Sequence, residues 1–160
     1  MHYLALLEHD GDAWGGTFPE LEHILVVGKT RQQTLERLSQ ALALHLYQLE
    51  RVGQTPAPAQ LERLEDLPTS YLEDFAGSVL ETALLRPAPL NPVAFEVAAA
   101  LEASGLSESE VARRMGAAPA SIQRLKSPFY WGHSLDSLRR LVNALGRPLT
   151  LTLEPNQAAD

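Results

Sequence analysis

Cysteine is absent from this 160-residue chain. Its absence removes disulfides, thiolate zinc sites and cysteine nucleophiles together, and it suits a reducing compartment. Any metal would need histidine and carboxylate ligands. The five histidines, at His2, His9, His23, His45 and His133, show neither the H-x-x-x-H nor the H-E-x-x-H spacing that sets two ligands on one helical face. Long apolar runs are missing too. Nothing approaches the roughly 20 residues that span a bilayer, and the start MHYLALLEHD has neither the basic region nor the small-residue cleavage site of a secretory leader. A cytoplasmic protein with no cofactor and no membrane partner is expected. Positive charge is scarce as well: 13 Lys and Arg stand against 20 Asp and Glu, a net charge of -7. Spread evenly, that balance would repel a polyanion.

What is present is a 45% hydrophobic content, enough for one ordinary core or two small ones. The acidity is not spread evenly. Residues 1–90 hold 13 acidic against 6 basic side chains, whereas residues 91–160 hold 7 of each, so the first part carries the whole net charge. Between the two lies RPAPLNP, residues 86–92, which can continue neither a helix nor a central strand. Two domains are expected, residues 1–88 and residues 89–160.

The first domain begins with strands. An apolar run from Tyr3 to Leu7 meets the turn signal HDGD, and Trp14 to Phe18 follows as the return strand of a hairpin. HILVVG supplies a third strand. Thr30 then caps a helix, with Gln33 three residues on as the second half of a capping box. Leu35, Leu38, Leu42, Leu46 and Leu49 recur at steps of three and four, one face against a sheet, and the helix should end near Gly53. The stretch from GQTPAPAQ to LPTSY is Pro-rich and polar and is expected to be a loop with one helical turn around Leu61 to Leu64. GSVLETALL, bounded by Gly and Pro, is expected as a fourth strand. The order is β-β-β-α-β.

Four carboxylates, Glu8, Asp10, Asp12 and Glu20, raise the possibility of a two-metal nuclease. Three of them lie in or beside a hairpin turn, where Asp serves local backbone hydrogen bonding, and the turn reading prevails.

Trp14, the Phe18-Pro19-Glu20 turn, Gly28 before Thr30 and the leucine-rich helix together resemble the N-terminal domain of HicB antitoxins. The resemblance covers about half the chain. It implies a reduced ribonuclease-H-like fold without the enzyme's acid cluster, and a partner: a small HicA-type toxin that cleaves messenger RNA and is silenced by being held. Asp10, Asp12, Trp14, Phe18 and Glu20 are the expected toxin contacts. Where the family has Asp after the proline and then Pro-Gly in the turn, this chain has Glu20 and Glu22-His23.

The second domain reads as four helices. Asn91 caps the first with Pro92 at its first position and Gly105 at its end. LSESEVARRMGAAPASIQRL then gives a helix capped by Ser107, with Glu110 completing a second capping box, and ended by Gly116, where a sharp turn wants the left-handed conformation. Pro119 opens the next helix, where its missing N–H costs nothing. Ser134 caps the last. The spacing of Ala112, Gly116, Ile122 and Leu125 resembles the helix-turn-helix of Cro/repressor-type proteins, and residues 91–153 look like HicB chains of that type.

Base-edge contacts are expected from Ala118, Pro119, Ser121, Gln123 and Arg124, since Gln can pair with adenine and Arg with guanine. Phosphate contacts are expected from Lys126, Ser127, Tyr130, His133 and Arg139. For Tyr130 and Trp131 a place in a loop core is the competing account. The tail PLTLTLE alternates Leu149, Leu151 and Leu153 with polar residues, a strand expected to pair with its copy in a homodimer or a higher oligomer. The fold class is therefore α+β, and the expected function is a HicB-like antitoxin that masks its toxin and represses its own operon at operator DNA. The alternative is a stand-alone transcription regulator with a ligand-sensing N-terminal domain.

Overall fold

Tyr3, Leu4, Ala5, Leu6 and Leu7 are each no more than 1% exposed, which an apolar strand achieves only when both of its faces are covered. They belong to β1 (Tyr3–Asp10), which lies between β2 (Ala13–Phe18) and β4 (Val79–Leu85), with β3 (Leu21–Gly28) beyond β2. The structure, a computed structural model, describes residues 1–152, apart from the side chains of Asp10 and Glu22. Every pairing in this sheet is antiparallel, and the order is β3-β2-β1-β4. The chain divides into two units, Met1–Pro89 and Leu90–Asp160.

In the first unit, α1 (Arg31–Arg51) covers one face of the sheet. Leu38 and Leu42 are fully buried against Tyr3, Ala5, Leu7 and Phe18, with Leu35 and Leu46 at the margin. The close approach requires Gly16, since a Cβ there would stand 2.7 Å from Leu38 Cδ1 and 2.9 Å from Thr34 Cγ2. Thr30 accepts the Gln33 N–H as the N-cap should, but the Gln33 side chain reaches back to the Lys29 N–H. The expected capping box is thus displaced by one residue. On the outer edge of β3, Arg37 donates to the Val27 carbonyl.

The stretch expected as a loop is more ordered than its composition suggests. It contains a 3-10 turn, Leu64–Asp66, and a short helix, α2 (Thr69–Glu73). The turn falls later than Leu61 because the Asp66 carboxylate accepts the Glu62 and Arg63 N–H groups and so fixes where the backbone tightens. Tyr71 and Phe75, at helical spacing, lie over the sheet face opposite α1.

The second unit holds α3 (Pro92–Ser104), α4 (Glu108–Met115), α5 (Pro119–Lys126) and α6 (Leu135–Leu145) around Val97, Leu101, Val111, Ala112, Ile122, Leu125 and Leu141. Asn91, Ser107 and Ser134 each accept an N–H of the first helical turn. The reciprocal box forms at Ser134, through Ser137, and not at Ser107. Glu110 is instead claimed by two arginines, as described below. Gly116 adopts φ 61 at the α4 terminus, and residues 116–118 connect α4 to α5. Residues 147–152 form no strand among the described residues, and the Arg147 N–H closes back on the Val142 carbonyl at 2.9 Å; Leu153 and Glu154 of the expected strand lie outside the described residues.

Candidate functional site

Helix α5 with its two caps, Ala118 and Ser127, holds seven of the ten expected nucleic-acid contacts. Buried Ile122 and Leu125 turn α5 so that Pro119, Ala120, Gln123 and Arg124 face solvent, with Ala118 exposed just before it and Ser121 half-buried. Gln123 and Lys126 are not free, however. Both donate to Glu108 at the start of α4, Gln123 through Nε2 and Lys126 through Nζ.

The neighbouring cations are also engaged. Arg113 meets Glu110 through two hydrogen bonds of 2.8 and 2.7 Å, and Arg114 Nε donates to the same carboxylate at 2.7 Å. These hydrogen bonds hold the Glu110 carboxyl at about 2, far below its ordinary 4.5. Arg114 and Arg140 donate to the Ala144 and Met115 carbonyls, close to the C-termini of α6 and α4, where a cation is favoured. Arg124 lies over the Tyr130 ring at 6.0 Å. Arg139 is exposed and, among the described residues, holds no ion pair.

His133 serves the connection between α5 and α6. Its Nε2 meets the Leu125 carbonyl at 2.8 Å, which requires the proton on that nitrogen, and its Nδ1 then accepts from Asn91 Nδ2 at 3.2 Å. Asn91 also donates to the Tyr130 carbonyl, and its own N–H to the Pro128 carbonyl. Tyr130 packs half-buried against the core, whereas Trp131 is 59% exposed. So of the expected phosphate contacts, His133 and Tyr130 brace the loop, Ser127 is the half-buried C-cap of α5, and Arg139 remains open to solvent. The importance of Asn91 beyond capping was not read from the sequence; its burial at 5% exposure is the sign of it.

In the first unit the five expected toxin contacts separate into two groups. Asp10 and Asp12 flank the β1–β2 turn at Gly11, and Trp14 follows, its indole stacked on His9 at 4.6 Å. Phe18 and Glu20 lie at the far end of β2 and face the molecule itself. Phe18 is 1% exposed, edge-on to Tyr3 at 6.4 Å, because the strand's alternation turns it toward α1. Its assignment as a partner contact is corrected accordingly. Glu20 Oε1 accepts the Gln60 and Leu61 N–H groups and so fastens the segment after α1, while Tyr3 Oη donates to the Ala57 carbonyl at 2.6 Å. Burial, with the Glu20 charge nearby, raises the Tyr3 phenol above its ordinary value.

Missed altogether from the sequence was a recess of about 310 Å³ on the sheet face opposite α1, lined by Leu6, Glu8, Thr17, Leu25, Tyr71 and Phe75. Its signal was the Tyr71/Phe75 spacing. Leu25 and Val27, on β3, are 75% and 54% exposed. Among the described residues no cluster of three His, Asp or Glu could hold a metal ion, and no helix is long and apolar enough to cross a membrane.

No protein-family model matches the chain. It is 28% identical over 155 residues to Antitoxin HicB 2 of Photorhabdus laumondii subsp. laumondii, an alignment that covers 94% of this chain and 95% of that protein. Among solved structures, a HicA3 and HicB3 toxin-antitoxin complex contains a chain matched at 18% identity and TM-score 0.45, over 54% of this chain and 100% of that one. The Burkholderia pseudomallei antitoxin HicB is matched at 18% identity and TM-score 0.42, over 77% and 97%.

Proposed function

We propose that the chain is an antitoxin of two parts: the first unit holds a HicA-type ribonuclease toxin, and the second binds the operator DNA of its own operon through α5. The observation that carries this reading is the alignment to Antitoxin HicB 2, which runs through both units and nearly the whole of each protein. The acidic first unit suits a basic, RNA-binding partner by charge complementarity. Asp12 and Trp14, beside the β1–β2 turn, are the side chains of that end best placed to meet it. Inhibition by masking needs no chemistry from this chain. The second unit, with as many basic as acidic residues, offers the exposed start of α5, Gln123 and Arg124 for bases and Arg139 for phosphates. The exposed Leu149 and Leu151 of the tail support pairing with a second copy, which would make the operator an inverted repeat.

Expression of a HicA-type toxin with and without the full chain tests the first part. Messenger RNA should survive only when the chain is present, and equal cleavage in both cultures would reject antitoxin activity. For the second part, Gln123→Ala should cost about 1–3 kcal/mol on the operator and little on unrelated DNA, while Arg139→Ala weakens both and flattens the salt dependence. Equal losses for both variants on every sequence would reject these roles. The recess over Leu6 favours the alternative of a ligand-sensing regulator; DNA binding without toxin protection would turn the reading that way.

A further inference from the structure

Glu108 lies in the first turn of α4, 15 residues before Gln123 and 18 before Lys126, and the α4–α5 turn brings all three together. Its two oxygens are divided between them: Oε2 accepts from Gln123 Nε2 and Oε1 from Lys126 Nζ. The ion pair is partly sheltered, with 31% of the Glu108 side chain and 32% of the Lys126 side chain exposed.

An ionised carboxylate accepts hydrogen bonds and donates none. Gln123 must therefore turn its amide nitrogen toward Glu108, and the flip of the amide is dictated by chemistry. One N–H is consumed. What remains to the outside is the Oε1 acceptor beside the second N–H, an acceptor and a donor side by side, which is the pair that matches the N6 amino group and N7 of adenine in the major groove. The same carboxylate places a negative charge where phosphates must approach and occupies the ammonium of Lys126, so it opposes binding to any DNA.

We infer that Glu108 is a specificity-determining positioning residue that fixes the amide of Gln123 for adenine while lowering affinity for DNA in general. The inference rests on the DNA-binding reading of the second unit. A residue that only held α4 to α5 would affect affinity and discrimination in the same direction; Glu108 moves them in opposite directions.

The experiment uses the full chain and a randomised duplex pool, from which the wild-type protein selects a preferred duplex. Binding is then measured by fluorescence anisotropy over a salt series on that duplex, on versions with each A·T pair replaced by G·C, and on an unrelated duplex. Wild type should prefer one adenine by about five- to a hundredfold, and Gln123→Ala should abolish that preference. Glu108→Gln, whose amide both donates and accepts, should bind the unrelated duplex more tightly, with a salt slope steeper by about 0.9 as Lys126 is released to a phosphate. At the same time its adenine preference should fall severalfold, and adding Glu108→Gln to Gln123→Ala should change preference no further. Glu108→Ala, checked for folding by circular dichroism, should show the same two opposed shifts. Unchanged adenine preference in folded Glu108→Gln, or weaker binding on every duplex, overturns the inference while leaving DNA binding intact. If wild type selects no sequence, the DNA-binding reading itself fails and the inference falls with it.

Discussion

His23 adopts φ 70, the only residue other than glycine with a positive φ among those described. It stands within β3, where the pairing with β2 shifts register between Thr17–Leu25 and Phe18–Leu21, so the bulged backbone demands a left-handed conformation that a residue with a Cβ meets at a cost. A left-handed residue with a Cβ costs roughly 1–2 kcal/mol, partly offset in glycine by the greater entropy of its unfolded state. His23→Gly should therefore stabilise the chain by about 0.5–1 kcal/mol, read as a higher midpoint in denaturant; a lower midpoint would refute the strain. Residues of this kind are legible when their role is local. Thr30, Asn91, Ser107 and Ser134 were readable as caps because a cap depends on the next three residues. Glu20 was not, because the N–H groups it accepts belong to Gln60 and Leu61, 40 and 41 residues away.

Helix α4 shows how competing local contacts decide an element. Glu110 was expected to reach back to its cap, yet Arg113 and Arg114, three and four positions on, offer charged donors that the neutral cap N–H cannot match. Because the Glu110 carboxyl sits at about 2 in the folded chain and at 4.5 ordinarily, the folded state is favoured by its ionisation. That contribution is complete above about 4.5 and fades as pH falls toward 2. Glu110→Gln should remove this component, so that the thermal midpoint of the variant declines less steeply than wild type between those values. Parallel curves would dismiss the assignment. The long helix α1 was legible from five leucines in period, and the strands from their apolar runs. Helix α2, with five residues, was not: so short a helix is held by what Tyr71 and Phe75 cover, not by its own propensity.

For the molecule as a whole, the charge partition was readable by counting: residues 1–90 carry the net charge of -7 and residues 91–160 are balanced. What counting could not reveal is how many cations are already engaged: Arg113, Arg114, Lys126 and Arg140 all hold internal acceptors. The antiparallel pairing of β1 with β4 has a further consequence, and it concerns time. Tyr3 pairs with Leu85 and His9 with Val79, so during synthesis the central strand must wait for nearly the whole first unit before its second neighbour exists. All four helices of the second unit lie within Pro92–Leu145, so their packing closes shorter loops than the β1–β4 pairing, and a chain that closes shorter loops folds faster. Each unit carries its own reporter, Trp14 in the first and Trp131 in the second. In stopped-flow refolding, the signal of Trp131, isolated by Trp14→Phe, should therefore recover ahead of that of Trp14, isolated by Trp131→Phe. A single shared rate would mean that the two units fold as one. Until β4 arrives, a newly made first unit exposes the unpaired edge of β1, a template on which another chain's strand can pair.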